Sequence, residues 1–227
     1  MIKTNNIFDK FFNVEVIQRL QDHFATQTGV ASIISDLKGV PYTKPSNFSK
    51  LCSYIRETPK GGANCMYSDS VIGKRANRDR PHIQPCLSGG LWDAGACLHV
   101  GNIHVANWLI GQVMNGAQDL SKMMDYATQI EVDQEKFSYA LTQVTIMTEE
   151  QFNHTCQALF LLANAVSECA VYEKDLSLPD MDVLLQKYKA ELSVLVEQEP
   201  SLEAVWPVWD EFETAARHYE LTPPLAS

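Results

Sequence analysis

Two apolar runs, Leu91 to Val100 and Ile103 to Met114, are separated only by Gly101-Asn102. Two residues leave room for nothing but a sharp reversal, and both Gly and Asn tolerate the positive φ that a two-residue hairpin turn needs. The pair predicts a long antiparallel hairpin. Strands this apolar must be covered, so the remainder of the chain has to supply the covering layer.

The flanking patterns supply it. Val14 to Thr26 places Val14, Ile17, Leu20, Gln21 and Phe24 on one helical face, an amphipathic helix. Val30 to Ser35 is short and β-branched, Asp36-Leu37-Lys38-Gly39 is a turn, and Val40 to Thr43 is extended, which reads as a further hairpin. Asn47 or Ser46 caps a helix carrying Phe48, Leu51, Cys52 and Ile55, with Pro59 to Gly62 as its stop, and Asn64 to Ala76 forms a second short helix. His82 to Cys86 reads as a strand, Leu120 to Glu131 as a helix, and Glu149 to Leu176 as the longest helix, with Cys156 and Cys169 on its apolar face.

The expected fold is therefore α+β: about five antiparallel strands covered on one face by helices, over residues 1–176. Pro179 marks the boundary to a helical extension, 177–227, whose helices Met181 to Gln198 and around Val205, Trp206, Trp209 and Phe212 are amphipathic. Those apolar faces need a partner surface: the domain itself or a second subunit.

Charge and motif content narrow the function. With 18 Lys and Arg against 28 Asp and Glu, the net charge is -10, which gives no electrostatic reason to bind nucleic acid or an anionic membrane. The basic cluster Lys74, Arg75, Arg78 and Arg80 reads as a solvated helix end and loop. MIKTNNIFDKFF lacks the apolar core of a signal peptide and no run of about 18 apolar residues occurs, so a cytoplasmic location is expected. There is no G-x-S-x-G, phosphate loop, H-E-x-x-H or dinucleotide fingerprint. His82 and Cys86, four apart on a strand, are separated by about 13 Å, too far for a nucleophile pair. The expectation is a non-enzyme.

Four of the six cysteines, Cys52, Cys65, Cys86 and Cys97, crowd one stretch with gaps of 12, 20 and 10 residues. Their chemistry leaves three roles open. Four thiolates could hold zinc or an iron–sulfur cluster, although no C-x-x-C knuckle supports this; a low-pKa thiol could sense oxidation; or the thiols pack as small hydrophobes lining a pocket. Trp92-Asp93 opens the central hairpin, where an indole offers apolar area and a carboxylate accepts hydrogen bonds from a diol or amine. Tyr54, Tyr67, His99, His104 and Trp108 are further candidates. Alternation puts His104, Ala106 and Trp108 on one face and Val105, Asn107 and Leu109 on the other; packing by the apolar set would leave His104 facing solvent or a dimer partner.

Phe48-Ser49-Lys50-Leu51-Cys52, Cys65 with Ser68-Asp69 after it, Cys86 followed by Gly89-Gly90-Leu91-Trp92-Asp93, and Ile110-Gly111-Gln112-Val113 together resemble the PocR ligand-binding (sensory) domain family over about residues 8–176. The resemblance implies a PAS-like fold and a bacterial sensory role toward small hydrocarbon derivatives such as propanediol. It also implies an output partner: a kinase, a cyclase or a transcription regulator. No such output motif follows residue 176, so that partner is expected on another chain, unless the sequence is part of a longer protein. The family's recurring cysteines match Cys52, Cys65 and Cys86; Cys97 departs from the pattern, and Leu87 replaces the usual histidine after the third.

The leading expectation is a homodimeric, non-catalytic sensor. It would bind a small organic ligand through Cys52, Cys65, Cys86, Trp92, Asp93, Tyr54 and Trp108, with the Val14 to Thr26 and Glu149 to Leu176 helices as output and dimer elements. The rivals are a metal- or cluster-dependent redox sensor using Cys52, Cys65, Cys86 and Cys97, and a structural dimerisation module.

Overall fold

A computed structural model describes residues 7–174 and 180–224. In chain order it contains α1 (Ile7–Phe11), α2 (Val14–Thr28), β1 (Ala31–Ser35), α3 (Lys50–Glu57), α4 (Pro59–Arg75), β2 (His82–Pro85), β3 (Trp92–Val100), β4 (Ile103–Met114), α5 (Leu120–Gln129), α6 (Gln134–Leu141), β5 (Thr145–Ile146), α7 (Glu149–Tyr172), α8 (Met181–Gln198), a 3-10 segment (Pro200–Val205) and α9 (Trp206–Arg217). Among the described residues no helix is long and apolar enough to cross a membrane.

The hairpin forms as its turn requires. Gly101 has φ 57°, and β3 pairs with β4 from Val100↔Ile103 to Trp92↔Val113. The sheet order is β1-β4-β3-β2, all antiparallel, and β5 joins the far end of β4 in parallel, beyond β1. This is the α+β, PAS-like arrangement expected.

Several local expectations are corrected. Val40 to Thr43 is not a strand: past the turn only the isolated bridges Ser35↔Pro41 and Ser32↔Ser46 form. Pro41 and Pro45 lack the N–H that a ladder needs, and the Asp36 carboxylate instead accepts from the Lys38 and Val40 amides at 2.8 Å each. The fifth strand is β5. Pro59 does not stop a helix but starts one, at the first turn of α4, where its missing N–H costs nothing; Thr58 terminates α3 and caps α4.

Both sheet faces are covered, not one. Ala94, Ala96, Leu98, Trp108 and Ile110 join the main core with α2, α7, α8 and α9. By alternation Gly95 and Leu109 point the other way, and a Cβ on Gly95 would lie 3.2 Å from Ile72 of α4. His104 accordingly is half-buried, its Nε2 within 3.0 Å of the Ala106 carbonyl oxygen, rather than free in solvent.

The helices of 180–224 pack back on the domain and share its main core: Leu184, Leu192, Trp209 and Phe212 cluster with Leu159, Val166 and Phe24. Most of α7 is thereby buried within the chain, leaving a narrow polar stripe of Glu149, Asn153 and Gln157 exposed near its start. α7 ends at Tyr172; Leu176 and the boundary at Pro179 lie outside the described residues, but Asp180 caps α8.

Candidate functional site

The sheet face turned toward α3 and α4 carries the site. Between Trp92↔Val113 and Asp93↔Gly111 the register skips Gln112, so Gln112 is bulged, with φ 60°. Bulges re-aim backbone groups beside functional sites. Here the Gln112 amide donates to Asp93 Oδ1 at 2.8 Å, while its side-chain Oε1 accepts from the Ser49 amide (2.8 Å) and hydroxyl (2.9 Å). Gly111 is required beside it, because a Cβ there would lie 2.6 Å from Asp93 Cα and clash with the Asp93 carboxylate. Ser49 in turn caps α3, accepting from the Cys52 amide at 3.2 Å. One bulge thus fixes Asp93 and ties the start of α3 to the sheet.

α3 and α4 contribute matched pairs. Cys52 and Arg56 are four residues apart on α3, Cys65 and Asp69 four apart on α4, a spacing that puts each pair on one helical face. Arg56 Nη2 donates to Asp69 Oδ2 at 2.7 Å, its guanidinium lies over the Phe48 ring at 5.2 Å, and its Nε is buried without a partner. Cys86 follows β2 in a loop closed by Cys86 N to Leu91 O (2.6 Å) and Gly90 N to Cys86 O (3.1 Å). Ser68 of α4 holds that loop, donating to Cys86 Sγ at 3.5 Å and accepting from the Leu87 amide at 3.0 Å. Cys65 Sγ donates to Ser88 Oγ at 3.4 Å, and Ser88 is 2.6 Å from Tyr126 Oη of α5.

Cys52, Cys65, Cys86, Arg56, Asp69, Asp93 and Gln112 converge on one cavity between the sheet and these helices, floored by Ile33, Ile72 and Leu109. Its volume is about 30 Å³, where one water needs about 10–15 Å³. It holds a very few water-sized groups.

The electrostatics follow from that confinement. Part of the Asp93 surface stays accessible, but the cavity it lines has room for only a few waters. Desolvation pushes its carboxyl up to about 7, reinforced by Asp69 and opposed by the Gln112 amide and the Cys86 thiol. Burial also raises Asp69, against the pull of Arg56. Burial and then Asp93 raise the Cys52 and Cys86 thiols, and burial raises Cys65. Each of these shifts favours the protonated thiol over the reactive thiolate.

The sequence candidates divide. Cys52, Cys65, Cys86 and Asp93 meet; Trp92, Trp108, Tyr54 and Cys97 do not line the cavity. Trp92 points to the opposite face, over a crevice with Ile83, Val113 and Phe152. Trp108 is fully buried in the main core, donating from Nε1 to Ser32 Oγ at 3.0 Å and meeting Phe24 edge-on. Tyr54 packs on the cluster of Met123 and Phe137. Cys97 is four residues along β3 from Asp93, about 13 Å away, with its thiol pushed up to about 12 by burial. Among the described residues no group of three or more His, Cys, Asp or Glu is placed to hold a metal ion. Tyr67 is exposed, and His99 packs on α7, with Nε2 3.2 Å from Asn164 Oδ1. Sequence reasoning missed Arg56 and Asp69 as site residues; the four-residue offsets from Cys52 and Cys65 were the available signal.

A family model described as the sensory domain found in PocR matches residues 10–171. The regulatory protein PocR of Salmonella typhimurium is 30% identical over 122 residues, 53% of this chain and 38% of that protein, so the match spans well under half of the relative. No solved structure gives a significant match.

Proposed function

The chain belongs to the PocR sensory-domain family, and from that premise we propose that it is a non-catalytic sensor whose cavity between the sheet and α3–α4 takes a small polar organic ligand, such as a short diol, and signals to an output protein. The observation that carries this reading is the convergence of Arg56, Asp69, Asp93 and Gln112 with three protonated thiols on one cavity. Arg56, a wall residue of the cavity, carries a buried Nε without a partner, whereas buried donors are ordinarily paired; movement of the wall would bring that unmet donor to a ligand above the apolar floor, the usual make-up of a small-molecule site.

A cavity of about 30 Å³ is too tight for a diol without movement of its walls. Ligand binding therefore favours an arrangement with α3–α4 displaced from the sheet, and the differential affinity for the two arrangements is what drives a signal. PocR of Salmonella typhimurium is named a regulatory protein, which supports a regulatory output for this chain.

The test is calorimetric titration and thermal denaturation of the full chain with a panel of short-chain diols, alcohols and amines, beside mass spectrometry of whatever co-purifies. Saturable one-to-one binding that weakens in Arg56→Ala is expected. No saturable binding by any member of the panel, with nothing co-purifying, would refute the reading.

A further inference from the structure

The cavity has an unbalanced charge. Arg56 is its only cationic wall residue among the described ones, and it is committed to Asp69 at 2.7 Å. Cys52, Cys65 and Cys86 are neutral thiols. The hydrogen-bond partners of Asp93 are the Gln112 amide at 2.8 Å and the thiol of Cys86, neither of which carries charge, and the Arg56 charge acts on it only as the smallest of the influences on its carboxyl. A carboxylate in so little water is expensive unless a cation answers it. Arg56 Nε, buried and without an acceptor, is the second unmet group. A neutral diol could satisfy Nε but would leave the Asp93 charge unanswered, and an anion would face Asp69 and Asp93 together.

We infer that the cavity takes a small organic ammonium ion carrying a hydroxyl group, an amino alcohol, whose ammonium pairs with Asp93 and whose hydroxyl oxygen accepts from Arg56 Nε. This rests on the reading that the cavity binds a small organic ligand. The ammonium makes charge-assisted hydrogen bonds where Asp93 now has only neutral ones, and the thiols and the Ile33, Ile72 and Leu109 floor keep water from competing.

The experiment is a matched titration of the full chain with 1-amino-2-propanol and 1,2-propanediol, which differ only in ammonium for hydroxyl. Three outcomes are expected: the amino alcohol binds more tightly at pH 8; its affinity falls about ten-fold between pH 8 and pH 6, as Asp93, at about 7, takes up a proton; and Asp93→Asn binds the two compounds equally. The ammonium stays protonated throughout, so Asp93, flanked by Asp69, Arg56, Cys52, Cys65 and Cys86, is the group whose titration is read. Should Asp93→Asn not fold, the pH series on the unmodified chain decides alone. Diol binding as tight as amino alcohol binding at pH 8 overturns the ammonium assignment and leaves the sensor reading standing. Failure of both compounds and of the wider panel overturns both.

Discussion

Gly73→Ala sets two physical effects against each other. Gly73 is an interior, buried position of α4, where replacing Gly by Ala ordinarily gains about 1 kcal/mol of helix propensity. Here a Cβ would fall inside van der Waals contact of the Cγ, Nδ2 and Oδ1 of Asn107 on β4. The end of an asparagine could swing aside on a surface, but Asn107 is fully buried and its Nδ2 donates to the Asp36 carbonyl at 3.0 Å. Relief requires breaking that bond, about 1–3 kcal/mol for a buried group left unpaired, or lifting α4 from the sheet, an overpacking cost of about 1–3 kcal/mol. Sterics outweigh propensity, and a net loss of about 2 kcal/mol is expected. At about 2–4 °C per kcal/mol for a chain of this size, Tm in a circular-dichroism melt should drop by about 4–8 °C. Adding Asn107→Ala should recover part of the loss, so the two changes are non-additive. A Tm at or above that of the unmodified chain would refute the claim that α4 meets the sheet at Gly73.

Three further outcomes separate the site from the scaffold. Trp108→Phe loses the bond to Ser32 Oγ and should cost about 1–3 kcal/mol in a urea unfolding curve while leaving ligand affinity unchanged, because Trp108 is on the face away from the cavity. Arg56→Met strands Asp69, whose side chain is 8% exposed, and should cost about 3–5 kcal/mol, with part regained on adding Asp69→Asn. Asp93 is raised to about 7 from an ordinary 3.8, so the folded state binds the extra proton and stability falls as pH rises from about 4 to 7. Asp93→Asn keeps the acceptor for the Gln112 amide, and should leave Tm nearly unchanged at pH 4 but raise it at pH 8.

What the sequence reveals and conceals follows from the range of each interaction. The Gly101-Asn102 turn and the helical periods of α2, α5, α7, α8 and α9 are local and could be read directly. α6, Gln134–Leu141, has only eight residues and little periodicity to detect, and β5 has two, paired only because the chain returns to Val113 and Met114. In the site, Cys52, Cys65, Cys86 and Asp93 were legible from the motifs. The error at Trp92 and Trp108 came from face: neighbours in a strand point oppositely, and with helices on both sides of the sheet an apolar side chain does not reveal which side holds the cavity. The Arg56–Asp69 bond joins two helices around the Thr58 turn, and its burial depends on the sheet beneath, which no spacing encodes.

The packing indicates which wall of the cavity yields. The main core joins the sheet's far face to α2, α7, α8 and α9, including Trp108, Leu159, Val166 and Phe212. The cavity side belongs to a separate, smaller cluster of Leu51, Ile55, Cys65, Met123, Phe137 and Val144 from α3 to α6 and the segment before β5. A small contact of Ile33, Ile72 and Leu109 with Phe48, the packing of Gly73 on Asn107, and hydrogen bonds such as Gln112 to Ser49 and Arg75 to Gln84 join the two. Displacing α3–α4 exposes a small cluster, whereas displacing the sheet disrupts the main core, so opening at least cost moves the helices. Amide hydrogen exchange of the full chain should therefore show faster exchange in α3 and α4 than in β3 and α7 without ligand. A saturating ligand should slow α3 and α4 selectively. Equal slowing of β3 and α7 would mean that the domain responds as one rigid body, and the cavity would then have to communicate with an output partner by some route other than movement of this layer.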